Sequence, residues 1–371
     1  MIIIINDSAI YLDSKGEVKG GQGGTAAFIS GFLQYFLKEN LIVGLLGNFQ
    51  GLSCIFPVQK IIRAKSSNTF LIKLLLYFLF EKKNIHDAVY YCHRPDHLAI
   101  SLIAKGSHIL HLHGQPHTTI KKDRNFLKKM VFNRLEKIAI NGAELIIATD
   151  LQTANLYKWL YPVSQHKIIV IPTGVSLEEF NPRNEVKPFS GIDQSTTNIA
   201  FVGRLSYPKK VMELITWFDM YFGDMPQVHL WIAGTGNDEY RLKLASSKLV
   251  STGNIHFVGY LSRSEVKRLI HSVDAGVLFS NNEGSPIVIK EFLAAGKPVL
   301  VNIVGDIDQY VVEGVNGFII DLKNPESFRL AVEKIMKSGK GMVSACVESM
   351  LPYDQDKIYH MVYQSIGQNH K

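Results

Sequence analysis

Cysteine is scarce in this chain. Cys54, Cys92 and Cys346 are scattered through 371 residues without paired spacing, which excludes a disulfide framework or a zinc cluster of ordinary spacing. Free thiols of this kind fit a reducing, cytoplasmic setting. Long apolar runs are also missing. The most extended, Phe70 to Phe80, carries Lys73 and falls well below the ~20 residues that span a bilayer, so it is expected as a core or interfacial helix. The start, Met1-Ile-Ile-Ile-Ile-Asn6, lacks the basic and cleavable parts of a secretion signal and reads as a short buried strand. No nucleic-acid module or aromatic-interleaved basic stretch is present, so a nucleic-acid partner is not expected. Charged residues make up 20% and hydrophobic ones 46%, a globular composition, and the length accommodates two domains with their own cores.

Strand-like runs recur at 41–46, 88–92, 109–112, 145–148 and 168–171, with helical segments between them. A second series follows at 198–202, 229–233, 255–258, 273–279, 299–301 and 317–320. This alternation means parallel sheets covered by helices, with ligands bound beyond the carboxyl ends of the strands.

Several segments fall at such ends. Gly20, Gly21, Gly23 and Gly24 precede an apolar helix from about Ala26 to Leu37, where bare backbone can approach a phosphate. His111-Leu112-His113-Gly114 follows a strand, and both imidazoles fall on one face of it. Cys92-His93-Arg94-Pro95-Asp96 is a second strand end, with His93 or Arg94 able to face a substrate. Gly203-Arg204-Leu205 runs on to Lys209-Lys210, and three cations after a strand suit a diphosphate.

The most informative stretch is Glu283-Gly284-Ser285-Pro286-Ile287-Val-Ile-Lys290-Glu291, which ends in Ala-Ala-Gly296-Lys-Pro298. Ser285 is expected as the helix N-cap, Pro286 as its first residue and Gly296 as its stop. Glu291 would then be a carboxylate in apolar company that needs donors, and Glu283 would sit at the anion-favouring helix start.

Glu283-x7-Glu291 with the Ala-Ala-Gly-Lys-Pro-Val that follows resembles the signature of the family-4 retaining glycosyltransferases, the glycosyl transferases group 1, of the GT-B fold. The resemblance implies an α/β architecture of two Rossmann-like domains whose parallel sheets face a central cleft. Residues 1–185 would bind acceptor, 192–350 nucleotide sugar, and a helix at about 352–371 would cross back to the first domain. The segment 181–191 reads as the linker. Ile171-Pro-Thr173-Gly174-Val175-Ser176 is similar to the family's Ile-Pro-Asn-Gly-Val-Asp turn, with Thr173 and Ser176 as departures.

In the resembled family the second glutamate, here Glu291, binds the ribose hydroxyls. The first, Glu283, and the backbone of Gly284, Ser285, Pro286 and Ile287 hold the donor sugar, with Ser285 carrying more because Pro286 has no N–H. Gly203 and Arg204 fall in the diphosphate element, where Val211 replaces the usual glycine. This leaves either Lys209 or Lys210 as the partner lysine, with Lys210 preferred. His113 corresponds to the histidine that faces the transferred sugar, the double glycine at Gly20-Gly21 or Gly23-Gly24 to the turn beneath the diphosphate, and Tyr260 and Leu261 to the loop that reads the base.

The implied activity is retaining transfer of a sugar from a UDP- or GDP-sugar to a glycan or lipid-linked acceptor in bacterial surface polysaccharide or lipopolysaccharide synthesis. Cations would do a metal's work, so no cofactor and no metal are expected. Three rival readings are an epimerase on the same fold, a sugar-nucleotide-binding scaffold without turnover, and a metal-dependent transferase using Asp306-Ile-Asp308 or Asp354-Gln-Asp356. The segment Lys121 to Lys137 holds seven basic residues, and Leu127, Met130, Val131, Leu135 and Ile138 repeat in it at helical spacing. It is expected to pack that apolar stripe inward and to offer its basic face to solvent, to anionic lipid at the inner membrane face or to a phosphate-bearing acceptor.

Overall fold

In the computed structural model the residues described are 1–12, 18–20, 24–52, 56–64, 66–81, 87–117, 125–247 and 253–368. They form two compact units: Met1–Thr173 with Asp356–Lys371, and Gly174–Gln355.

The first unit begins with β1 (Ile2–Leu12), β2 (Val18–Gly20), α1 (Gly24–Lys38), β3 (Val43–Gln50) and β4 (Val58–Ile61). It continues through α2 (Ser67–Leu76), which runs on as a π-helical turn over Tyr77–Glu81, then β5 (Val89–Cys92) and α3 (Pro95–Ser101). Next come β6 (Ser107–Leu112), α4 (Phe126–Gly142), β7 (Leu145–Ala148), α5 (Leu151–Leu160) and β8 (Ile168–Val170). The strands lie in the order β4-β3-β1-β5-β6-β7-β8, and β2 pairs with β1. Among the described residues only the β1–β2 pairing of this sheet is antiparallel. The short strands β2 and β4 lack a continuous apolar run, and the sequence reading did not separate them from loop.

Strand alternation divides the buried side chains between two faces. Ile2, Ile4, Leu45, Tyr91, Ile109 and Ile147 face α1 and the C-terminal helix, Gln355–Gln368. Ile3, Ile5, Leu46, Tyr90, Leu110 and Ile146 face α2 to α5. The C-terminal helix docks closely on α1. A Cβ at Gly31 would come within 2.2 Å of the Tyr359 hydroxyl, and Tyr35 Oη bonds His360 Nδ1 at 3.0 Å.

The second unit contains β9 (Thr197–Val202), α6 (Val211–Phe222), β10 (Val228–Ala233), α7 (Glu239–Ala245), β11 (Ile255–Gly259) and α8 (Arg263–Ser272). It closes with β12 (Ala275–Leu278), α9 (Ile287–Ala294), β13 (Val299–Val301), β14 (Gly317–Ile319), α10 (Pro325–Ser338) and α11 (Val343–Met350). Its sheet is wholly parallel in the order β11-β10-β9-β12-β13-β14. Residues 181–191, expected as a linker, are fastened to this unit. Arg268 donates to the carbonyls of Lys187 and Pro188 at 3.1 and 2.8 Å, and the Phe189 N–H donates to Ser272 Oγ at 2.8 Å.

The helix α4 corrects an expectation. Of that stripe, Leu127, Met130, Val131 and Ile138 are exposed, not packed inward, and Leu135 is half-buried; Phe126 beside them is exposed as well. The buried face instead carries Ala139, Ile140 and the carboxylate Glu136, which accepts from the hydroxyls of Tyr157 and Tyr161 at 2.6 and 3.0 Å and lies 2.6 Å from His117 Nδ1. A satisfied polar network displaced the apolar stripe from the interface, a choice that hydrophobic period alone does not reveal. Lys121, Lys122 and Arg124 lie outside the described residues, while Lys128, Lys129, Arg134 and Lys137 are on the helix.

Candidate functional site

The carboxyl ends of β9, β11, β12 and β13 gather most of the residues singled out in the second unit. The loop after β9 is laced to the loop after β12. Lys209 forms an antiparallel bridge with Ser280, the Lys210 N–H donates to the Phe279 carbonyl at 2.9 Å, and that of Asn281 to Pro208 at 3.1 Å. The loop after β13 joins them through Asn302, whose amide exchanges two 2.9 Å bonds with the Ser280 backbone.

The bridge sets which of the two lysines meets Glu283. Lys209 Nζ lies 2.5 Å from Glu283 Oε1, both side chains being largely buried. Lys210, the preferred candidate, points elsewhere and pairs with Glu213 one helical turn on. Lys210, at φ −87° and ψ 51°, already caps α6 and turns away from the bridge, so of the two adjacent lysines Lys209 meets Glu283. Arg204 is exposed at the same loop, with no hydrogen bond or ion pair among the described residues.

α9 begins one residue later than expected. Pro286 occupies the N-cap position without a side-chain cap, and Ile287 opens the helix. The Ser285 hydroxyl is engaged elsewhere, donating to Asp306 Oδ2 at 2.5 Å and accepting from Lys290 Nζ at 2.6 Å. Lys290 is fully buried and lies 2.8 Å from the same Asp306 oxygen, with its ammonium over the rings of Tyr353 and Tyr310. Gly284 is held by a 3.0 Å bond from the Asp306 N–H to its carbonyl. The helix stops where Gly296 takes φ 71°, a left-handed conformation that glycine adopts without strain.

Glu291 is buried, as its neighbours implied, and its donor is Arg263, a residue the sequence reading passed over. Arg263 opens α8 immediately after the Tyr260-Leu261 loop and also grips Glu179 by paired bonds of 2.9 and 3.1 Å. Its guanidinium lies 4.7 Å from the Phe180 ring centroid. Burial alone would lower its pKa, but the Glu291 and Glu179 carboxylates outweigh that and raise it. A cation placed just past an expected base-reading loop was the available signal. Tyr260 is exposed at the end of β11, Leu261 packs against the core, and Gly203 closes β9 through a 3.0 Å bond to the Ala233 carbonyl.

In the first unit, the strand ends of β5 and β6 bring three histidines together. His93 Nδ1 lies 2.8 Å from His113 Nε2, and His111 Nδ1 lies 2.5 Å from the Tyr91 hydroxyl. Phe28 of α1 meets all three imidazoles edge-on. His111 is fully buried, and His113 is the less enclosed of the two candidates. Burial lowers the pKa of His113 to about 3 and holds His93 and His111 well below the usual value, so all three are neutral near pH 7. One nitrogen from each lies within 4.8 Å of the others, a spacing from which a metal ion could be held. Gly24 opens α1 and Gly20 ends β2, whereas Gly21 and Gly23 lie outside the described residues.

Of the acidic pairs, Asp306 is committed to Lys290 and Ser285, while Asp308 faces solvent. They do not present two open carboxylates.

Comparison with known proteins agrees with this arrangement of elements. The family model for glycosyl transferases group 1 matches residues 182–348, and that for glycosyltransferase family 4 matches residues 60–179. The D-inositol 3-phosphate glycosyltransferase of Mycobacterium marinum is 24% identical over 217 residues, covering 57% of this chain and 46% of its own. This chain spans about half the length of the curated relatives it matches. Among solved structures, Anabaena HepE in complex with UDP-glucose is similar at a TM-score of 0.73, with 17% identity and 99% of both chains covered. WaaG, a glycosyltransferase involved in lipopolysaccharide biosynthesis, is similar at 0.75, with 13% identity and 99% of both chains covered. The chain therefore belongs to the glycosyl transferases group 1, within glycosyltransferase family 4, and has the GT-B fold.

Proposed function

We propose that the protein transfers a sugar, with retention of anomeric configuration, from a nucleotide-sugar donor to a glycan or lipid-linked acceptor in surface polysaccharide or lipopolysaccharide synthesis. The observation that carries this reading is Glu291, buried and oriented by Arg263, on the helix whose leading loop sets Glu283 against Lys209. A fixed buried carboxylate is an acceptor for paired ribose hydroxyls. A UDP-sugar is favoured over a GDP-sugar by the likeness to HepE, which was solved with UDP-glucose.

In this reading a diphosphate entering beside Glu283 meets Lys209, Arg204 and the N-terminal amides of α9. Those fixed positive groups stabilise the negative charge that grows as the anomeric bond breaks. No metal ion is invoked. His113, neutral at working pH, offers a hydrogen bond to the sugar.

Contact with a membrane is supported by the outer surface of the first unit. α2, α3 and α4 pack side by side, and Ile72, Leu76, Leu79, Phe80, Phe126 and Leu127 are all exposed there. Lys128, Lys129, Arg134 and Lys137 share α4 with Phe126 and Leu127, a combination that matches an anionic bilayer surface.

The test is nucleoside diphosphate release from UDP-, GDP- and ADP-sugars, alongside thermal shifts on the wild type and on Glu291→Ala. Release from one base class, insensitive to EDTA, with a thermal shift lost in the variant, is expected. Binding without release with any acceptor would favour a scaffold, and an isomerised donor without acceptor would mean an epimerase.

A further inference from the structure

Beyond the histidine cluster, the carboxyl edge of the first unit's sheet carries a second polar site. β1 and β5 pair as far as Ile5 opposite Cys92, and just past that point Asp7 and Arg94 come together. Arg94 Nη1 donates to Asp7 Oδ2 at 3.0 Å and to Ser67 Oγ at 3.1 Å. Its Nε and Nη2 grip Asp96 at 2.9 and 2.5 Å. Ser67 Oγ, at the start of α2, donates to the same Asp7 oxygen at 3.2 Å.

Asp7 is thus held by one oxygen. Its Oδ1 has no hydrogen bond among the described residues, and its side chain is 17% exposed. Asn48, at the end of β3, donates from Nδ2 to the Asp7 carbonyl at 3.3 Å, while its Oδ1 is buried without a partner among the described residues. The ring of His97 is 1% exposed and has no hydrogen bond on either nitrogen, yet its Nε2 is turned toward Asp7 Oδ2 at 3.8 Å. Buried polar atoms left unpaired carry a desolvation cost that a ligand can relieve.

Two properties of this edge define what it accepts. The unused atoms of Asp7 and Asn48 are hydrogen-bond acceptors, so they match hydroxyl donors. Asp7 and Asp96 together outweigh the single guanidinium of Arg94, and burial keeps His97 neutral, which leaves the cluster one charge negative. A phosphate has no donors to offer near pH 7 and meets a like charge there.

We propose that this edge is the acceptor subsite, that Asp7 binds the hydroxyls of an uncharged sugar, and that its charge selects neutral over phosphorylated acceptors. The proposal rests on the glycosyltransferase reading above. It leaves open whether the sugar stands alone or at the head of a lipid.

The test uses the full chain. Release of nucleoside diphosphate from each donor, with and without acceptor, first establishes whether the chain cleaves donors at all; no release in any combination defeats the glycosyltransferase reading itself. Octyl glycosides of glucose, galactose, mannose and N-acetylglucosamine are then compared with their 6-phosphates. At least one neutral glycoside is expected to be a substrate, with kcat/KM at least roughly tenfold above its phosphate, a factor equal to one charge-assisted contact. Asp7→Asn should shrink that ratio by about tenfold. The ratio should also fall severalfold in the wild type at high salt, which needs no variant to fold, because screening weakens the repulsion. Donor cleavage with transfer to no neutral glycoside, equal or better use of the phosphates, or a ratio indifferent to both salt and Asp7→Asn overturns the proposal.

Discussion

Replacing Glu291 with alanine separates a ligand-binding carboxylate from a merely structural one. The side chain of Glu291 is 5% exposed and that of its partner Arg263 is 41% exposed, the latter keeping Glu179 as a second partner. Breaking a fully buried pair costs about 3–5 kcal/mol. Because Arg263 keeps water and Glu179, screening reduces the expected loss to about 1–2 kcal/mol, or a fall of roughly 2–8 °C in Tm. If the carboxylate also holds ribose hydroxyls, its removal takes away charge-assisted bonds worth about 1.5–3 kcal/mol, a rise of roughly 10- to 150-fold in Kd for UDP. Calorimetric titration of UDP into the wild type, Glu291→Ala and Arg263→Ala reads the two effects apart. Arg263→Ala should lose similar stability but weaken UDP binding only severalfold, because Glu291 remains. A Glu291→Ala protein that loses stability yet binds UDP within twofold of the wild type would refute the assignment and leave the glutamate as an anchor for Arg263.

The buried histidines make stability depend on pH. Their folded pKa values are depressed, so the unfolded chain binds protons that the folded one does not once pH drops below about 6.5, and stability, complete above that value, is lost on acidification. Each should cost on the order of 1 kcal/mol at pH 5.5; melting curves from pH 7.5 to 5.5 should show the decline, His111→Phe should make it shallower, and a level wild-type profile would contradict the burial argument. Lys290→Met strands Asp306 and should cost about 3–5 kcal/mol, much of it recovered with Asp306→Asn, as a double-mutant cycle in denaturant would measure. Gly31→Val drives a side chain against Tyr359 and should cost about 1–3 kcal/mol, with earlier proteolysis of the C-terminal helix. Phe126→Glu combined with Leu127→Glu should abolish co-sedimentation with phosphatidylglycerol vesicles while leaving Tm within about 2 °C, since both side chains are exposed; undiminished sedimentation would exclude α4 as the contact.

Apart from β2 and β4, the elements of both sheets were legible because strand and helix periods are local properties of a chain. β7 and β13 begin and end where their apolar runs do, at Leu145–Ala148 and Val299–Val301. The burial of Glu291 was legible too, since a carboxylate within the run Ile287 to Ala295 has no other environment. Its partner was not. Arg263 lies 28 positions away, and only the sheet order β11-β10-β9-β12 brings the loops that follow β11 and β12 to one edge. Which of Lys209 and Lys210 meets Glu283 was likewise set by a bridge to Ser280, a long-range pairing that neither lysine encodes in its own surroundings. α4 shows the opposite outcome: its apolar period was real, but Glu136 with two tyrosine hydroxyls and His117 claimed the inward face. Local pattern thus determined which segments are strands and helices, because it depends on neighbours in the chain. Which faces are buried and which charges meet depended on tertiary packing, where desolvation and pairing are settled between residues far apart in sequence.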